Sequence, residues 1–325
     1  DYIEHLFVAS THHTLLFFTE MGRCFWLKVY EIPEGDKTSK GRALQNMIQI
    51  PPDDKVRAII DVKSFDDEEF VNNHYILLCT KQGIINKSRL KDFSRPRQNG
   101  INAININEGD QLIEAKLTDG NCEIMMAIKS GRAIRFPEEK VRPTGRGGIG
   151  VRGIDVDETK DEVVGMICVN KDDKESTVLV VSANGYGKRT FLDDPETGEN
   201  NYRITNRGGK GVKTINVTAK TGSLVGLLAV TEADDLMITC VSGVTIRMPV
   251  NQISEQGRAT QGVKLIRVDE GDEIAAITKL DEKEEVDEII LDEAGNVIVA
   301  ETATGDVEDA SENDEPAEPE NPTES

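Results

Sequence analysis

Five glycines, Gly22, Gly83, Gly131, Gly185 and Gly243, each end an apolar run and open a second β-rich one, and they stand 61, 48, 54 and 58 residues apart. The runs before them include Leu15-Leu16-Phe17-Phe18, Leu77-Leu78-Cys79, Met125-Met126-Ala127-Ile128, Val180-Val181 and Ile238-Thr239-Cys240. A glycine between two β-rich runs predicts a hairpin whose tight turn needs positive φ. A second glycine follows 17 to 26 residues later in every copy: Gly41, Gly100, Gly150, Gly211 and Gly262. A short alternating strand comes next (101–106, 212–217 and 263–268 are the clearest), then a polar or acidic turn, then another apolar strand. The unit is therefore about 50 to 60 residues long, with four strand signals and no convincing helix. An array of such units predicts an all-β, propeller-like disc whose apolar strands are buried blade against blade.

Five copies are complete within the 325 residues. Residues 1–10 match the last strand of a copy, aligning with 54–61, so six blades are expected in the parent and about five and a fraction here. The absence of a leader and the opening Asp1 point the same way, to a piece beginning within a first blade. The array is expected to occupy 1–300, although its pattern fades past Leu280. One closing hairpin is predicted over 289–299, around Ala294-Gly295-Asn296. From 301 to 325 a disordered acidic tail is expected, because 305–325 holds nine acids, no cation and no large apolar residue except Val307.

The net charge of −21 argues against a nucleic-acid partner only until its distribution is read. Five windows, 23–46, 81–100, 129–152, 185–213 and 243–267, hold 28 Lys and Arg against 11 Asp and Glu; the remaining 203 residues hold 10 against 48. A solvated face mixes its signs, whereas this chain sorts them into a basic track on an acidic body. The strongest element of the track is Arg207-Gly208-Gly209-Lys210-Gly211, followed by Lys213. Cations among glycines and exposed amides suit a phosphate backbone. The same reasoning nominates Lys40 and Arg42, the dense group Lys87, Arg89, Lys91, Arg95 and Arg97, then Arg146 and Arg152, Lys188 and Arg189, and Arg258. Such contacts position DNA without reading its sequence.

Other chemistry is thinly represented. Gly145-x-Gly147-x-x-Gly150 has the spacing of a dinucleotide fingerprint, but a β-rich stretch follows it where that motif needs a helix. His12 and His13 are neighbours on a predicted strand and so face opposite ways. Acids such as Asp53-Asp54 and Asp272 recur at one turn per unit, which a repeating turn explains better than a catalytic pair. Trp26 reads as core. The five cysteines are single and widely spaced, as expected for buried thiols in a reducing cytosol. No apolar run approaches 18 residues, so no membrane-spanning helix is expected.

Taken with Val8-Ala9-Ser10-Thr11-His12, Asn184-Gly185-Tyr186-Gly187-Lys188-Arg189-Thr190 and Gly257-Arg258-Ala259-Thr260-Gln261-Gly262-Val263, the Arg-Gly-Gly-Lys-Gly stretch gives the chain a resemblance to a known family. From residue 1 to about 280 it resembles the C-terminal domain of the DNA gyrase A subunit, part of a bacterial type II topoisomerase. The resemblance implies a six-bladed β-pinwheel whose blades exchange strands. It implies wrapping of double-stranded DNA on the basic rim, in support of ATP-dependent negative supercoiling, and a cytoplasmic, chromosome-associated setting. It also implies partners, a second A subunit plus the gyrase B subunit. The catalytic tyrosine, the Mg2+-binding carboxylates and the ATP site belong to other regions, so no catalytic residue, metal or cofactor is expected in this stretch. The family's signature box, Gln-Arg/Lys-Arg-Gly-Gly-Arg/Lys-Gly, belongs to the first blade and is expected upstream of Asp1. Residues 205–211 match only its last five positions, in a later blade, and 144–150 are a weaker copy. The related array of topoisomerase IV is the nearest alternative. A protein-binding propeller is the alternative from another class, and it predicts scattered cations and an apolar or aromatic surface.

Overall fold

The structure, a computed structural model, describes residues 5, 7–35 and 39–280, together with the backbone of two short strands at 290–291 and 297–298. The expected disordered tail therefore lies outside the described residues. The chain divides into two compact units, Asp1–Glu282 and Lys283–Ser325.

The first unit is built from small antiparallel sheets, each around one of the predicted hairpins. Sheet one holds β1 (Thr14–Thr19), β2 (Arg23–Lys28) and β3 (Val56–Val62), with β6 (Ile101–Asn102) at its edge in the order β3-β1-β2-β6. Sheet two has β4 (Tyr75–Thr80), β5 (Ile84–Arg89), β7 (Leu112–Thr118) and β10 (Val151–Arg152). Sheet three has β8 (Cys122–Ile128), β9 (Arg132–Pro137), β11 (Val163–Asn170) and β14 (Val212–Lys213). Sheet four has β12 (Thr177–Ser182), β13 (Tyr186–Phe191), β15 (Leu224–Val230) and β18 (Val263–Lys264). Sheet five has β16 (Asp235–Cys240), β17 (Thr245–Pro249) and β19 (Ile274–Leu280), three strands rather than four.

The sheet is thus not the sequence repeat. The short strand after Gly100, Gly150, Gly211 and Gly262 crosses to the hairpin of the preceding unit, the exchange that the resemblance implies: β6 pairs with β2, β10 with β5, β14 with β9 and β18 with β13. Sheet two shows why both glycines are required. Gly83 at the hairpin turn has φ of 85°, and a Cβ there would lie 2.7 Å from Ile154 O on the incoming segment. Gly150 has φ of 93°, and its Cβ would lie 2.5 Å from Ile85 O. Neither the left-handed backbone nor the close approach tolerates a side chain.

The central hairpin strands are continuously apolar because both of their faces are covered. In β4, Ile76 and Leu78 pack toward sheet one while Leu77 and Cys79 pack toward sheet three. In β8, Ile124 and Met126 face sheet two, and Met125 and Ala127 face sheet four. In β12, Val178 and Val180 alternate in the same way with Leu179 and Val181. Each pair of neighbouring sheets thus shares one core, as a period-two pattern demands. The outer face of sheet one is closed by its own segment, through Ile48 and Ile50. The inner strands surround a common cavity of about 460 Å3, to which β3, β7, β11, β15 and β19 contribute Arg57, Ile113, Val164, Val225 and Ala276. The five sheets form a propeller-like ring, and no sixth blade is present among the described residues of this unit.

The recurring acids are turn latches. Asp54, Asp110, Asp161 and Asp272 each accept the amide of a hairpin-turn residue, Met21, Gln82, Ser130 and Ser242, at 3.1, 2.9, 3.1 and 3.1 Å. Trp26 packs against the core between sheets one and two, and its Nε1 donates to Phe93 O at 2.9 Å. His13 Nδ1 lies 2.6 Å from Asp61 Oδ2, while His12 is exposed. All five thiols are free; burial raises that of Cys79, for example, well above its usual range.

The strand expected within residues 1–10 falls in large part outside the described residues, of which 5 and 7–10 form no strand. One expectation is corrected. One six-residue helix, α1 (Glu68–Asn73), stands where none was expected; the Asp67 carboxylate caps it by accepting from Phe70 N at 2.9 Å. In the second unit, β20 (Ile290–Leu291) pairs with β21 (Val297–Ile298), the hairpin expected there; its turn lies outside the described residues.

Candidate nucleic-acid interface

The donated strands bring the basic loops side by side. Each loop hydrogen-bonds to the next through its backbone. Gly147 N donates to Ala103 O at 3.1 Å and Asn105 N to Gly148 O at 3.2 Å. In the next pair, Gly208 N donates to Gly153 O at 2.6 Å and Asp155 N to Gly209 O at 2.9 Å. Asn216 N donates to Thr260 O at 3.0 Å.

A repeating arginine reinforces this belt. It stands four residues before the second glycine, at 146, 207 and 258, and donates to the carbonyl two residues past the equivalent glycine of the preceding loop. Arg146 reaches Asn102 O at 3.4 Å, Arg207 reaches Arg152 O at 3.1 Å, and Arg258 reaches Lys213 O at 2.9 Å. Arg207 also donates to Lys140 O at 3.1 Å. Each guanidinium has five N–H donors, so donors remain for an incoming phosphate after these contacts.

Most of the nominated cations lie at the surface. Lys40, Arg42, Arg89, Lys91, Arg95, Arg97, Arg146, Arg152, Arg207, Lys210 and Lys213 are exposed, and Arg258 is half-buried. Arg152 lies 3.4 Å from Asp155, and Lys213 Nζ donates to Asn216 Oδ1 at 3.3 Å. Gly208 and Gly209 lie at the junction of two loops, and Gly211 docks the β14 segment against Ala133. Their first role is to bring loop against sheet, before any contact with a ligand.

Three nominated cations are withdrawn from the surface. Lys87, Lys188 and Arg189 are buried, with relative exposures of 5%, 0% and 4%. Lys87 and Arg189 stand four residues after a turn glycine, as do Arg135 and Arg247, where Trp26 stands in the first copy. Lys87, Arg135 and Arg189 reach from one sheet into residues that follow the next hairpin. Lys87 Nζ lies 2.7 Å from Glu138 Oε1 and 4.2 Å above the Tyr75 ring. Arg135 holds Glu123 and forms a two-pronged contact with Asp193 at 2.6 and 2.9 Å. Arg189 donates to Ile253 O at 2.8 Å and faces Glu232 and Glu255. Lys188 has no acidic partner among the described residues. Its Nζ donates to Gly257 O at 2.5 Å, and burial, with Arg258 beside it, lowers its pKa to about 7. These are interblade clasps, and their regular spacing after the turn glycine was the available signal.

Asp119, Cys122 and Glu138 place ligand atoms within 4.8 Å of one another. Glu138 is already neutralised by Lys87 and accepts from Thr118 Oγ1 at 2.6 Å. Burial, followed by the charges of Glu138 and Asp119, pushes the Cys122 thiol up to about 12. A protonated thiol and a satisfied carboxylate are poor metal ligands. The Gly145-x-Gly147-x-x-Gly150 spacing leads into β10, with no helix to receive a pyrophosphate.

The family model described as "DNA gyrase C-terminal domain, beta-propeller" matches residues 13–63, 74–119, 123–170, 176–194, 197–231 and 234–286. The chain is 40% identical over 315 residues to a DNA gyrase A subunit of Staphylococcus aureus, covering 97% of this chain and 34% of that protein. It is 41% identical over 285 residues to one of Staphylococcus epidermidis, covering 88% and 30%. The chain thus spans about a third of the length of these relatives. Among solved structures, the C-terminal domain of a DNA topoisomerase IV aligns with a TM-score of 0.71 at 23% identity, over 83% of this chain and 80% of that one. A DNA gyrase A C-terminal domain aligns with a TM-score of 0.68 at 24% identity, over 86% and 89%. At these identities the structural likenesses speak for the fold.

Proposed function

We propose a function from one premise: the chain belongs to the DNA gyrase C-terminal domain family. It binds double-stranded DNA without sequence preference and bends it along the belt of loops, in support of negative supercoiling by a parent gyrase. The observation that carries this reading is the continuity of the belt. Successive loops are joined by backbone hydrogen bonds and by Arg146, Arg207 and Arg258, and their remaining cations face solvent. A duplex crossing one loop is handed to the next.

Bending ~25 bp by a right angle costs on the order of 1–6 kcal/mol. Several phosphate contacts, each releasing counterions, offset that cost. ATP, Mg2+ and the other gyrase chains, a second A subunit plus the B subunit, enter this reading through the parent enzyme. The topoisomerase IV array shares the fold; the Arg-Gly-Gly-Lys-Gly stretch and the match to gyrase A relatives favour gyrase.

The test is the salt dependence of duplex binding. Each neutralised phosphate contributes about −0.9 to the slope of log K against log salt. Arg207→Ala/Lys210→Ala is expected to make that slope shallower by about 2, by the same rule, for duplexes of any sequence. Wild-type protein that fails to bind duplex at low salt, or a double variant with an unchanged slope, would overturn the reading.

A further inference from the structure

Beside Lys210 lies a cavity of about 210 Å3 whose lining includes Arg132, Arg203, Asn206, Gly209, Lys210 and Gly211 and no carboxylate. The Arg132 guanidinium is fixed at its mouth, donating from Nε to Lys210 O at 3.1 Å and from Nη2 to Gly211 O at 2.7 Å. Arg203 is exposed and makes no hydrogen bond or ion pair among the described residues. The Lys210 amide has no acceptor among those residues, while Gly209 bridges to Ile154 on the neighbouring loop. Arg135 also lines the cavity, but Glu123 and Asp193 neutralise it.

The repeats supply internal controls. Arg132 follows the turn glycine directly, while Arg203 and Lys210 precede the second glycine by eight residues and by one. Sheets two and four keep the same register: Ile84 pairs with Arg152 as Arg132 does with Lys213 and Tyr186 with Lys264. Thr144, Thr205 and Gln256 each donate a backbone N–H to the residue four past the turn glycine. In sheet two the three positions are Ile84, Arg142 and Ile149; in sheet four they are Tyr186, Ser254 and Gln261. Of these three sheets, only the third converges three cations on one point.

We propose that this cavity is a seat for one phosphodiester of a bound duplex, fixing the register of the DNA at the third sheet. The proposal rests on the DNA-binding reading and deepens it. A tetrahedral oxyanion suits the site: two guanidiniums and one ammonium supply charge-assisted donors, and the unpaired Lys210 amide supplies one more. The absence of any lining carboxylate removes competition for those donors. One of these guanidiniums, that of Arg132, is already held in place to meet the oxyanion.

The test uses the full chain, labelled for NMR and titrated with inorganic phosphate at constant pH and ionic strength, then with a short duplex. Phosphate is expected to shift the Gly209 and Lys210 amides saturably. That response is expected to vanish in Arg203→Ala and to persist in Arg142→Ala, which removes the same charge from the neighbouring sheet. The duplex is expected to shift the same amides and displace phosphate, and Arg203→Ala to reduce the salt slope by about one phosphate. No saturable phosphate response, or equal loss in both variants, overturns the seat. A duplex that binds but leaves these amides and the bound phosphate undisturbed overturns the seat while the DNA-binding reading stands. Phosphate binding with no duplex binding overturns both that reading and the phosphodiester assignment, leaving a site for free oxyanions.

Discussion

Lys87 and Arg207 carry the same charge into opposite surroundings. Arg207 donates to two carbonyls from an exposed loop, while Lys87 is sealed between sheets against Glu138. Removing one partner of a buried pair leaves the other uncompensated and costs about 3–5 kcal/mol. Glu138→Ala is therefore expected to destabilise the fold by that amount in chemical denaturation. At temperatures where it stays folded, its DNA salt slope should match wild type; a changed slope would return Lys87 to the interface. Lys188 makes a pH-dependent prediction. Its amine has a pKa of about 7 when folded against an ordinary 10.5, so above pH 7 the unfolded chain binds more protons. Stability should therefore rise with pH between about 7 and 10.5 through this group. Lys188→Met should flatten that rise and stabilise the protein most near neutrality and below. Parallel stability curves for the two proteins across this range would contradict the assignment.

At the scale of elements, the governing device is the two-residue strand passed to the preceding sheet. It depends on glycines that accept positive φ and leave no room for Cβ. Gly150→Ala is expected to cost at least 1–3 kcal/mol, and hydrogen exchange should show Val151 and Arg152 opening before the core strands. Uniform exchange in the variant would mean that β10 docks without the glycine. Much of this was legible in the sequence. The turn glycines and the apolar runs before them placed every central hairpin, because a strand buried on both faces must be apolar throughout. Strand exchange could not be read from Val151 or Val212, since a short alternating strand fits an edge in its own sheet as well as in its neighbour. The resemblance supplied it. The candidate site divided in the same way. Loop cations such as Arg146 and Lys210 stayed exposed, whereas Lys87, Lys188 and Arg189, on strands covered by the following loop, were buried. Cation density cannot tell those two places apart; position relative to the turn glycine can.

At the scale of the whole molecule, opposite charges are sorted: the basic windows fall largely on the belt, while many acids latch turns or clasp neighbouring sheets. A chain of net charge −21 can then attract DNA locally, because charges beyond ~8–10 Å are screened at ordinary ionic strength. The belt's curvature, rather than its charge alone, is the central claim. The direct measurement is energy transfer between dyes at the two ends of a duplex of ~40 bp, far below the persistence length of about 150 bp. Free, such a duplex is nearly straight. At saturation with wild-type protein the ends should approach each other, and Arg207→Ala/Lys210→Ala should weaken that approach even at protein concentrations that restore binding. A saturated duplex whose ends stay as far apart as in free DNA would contradict the account.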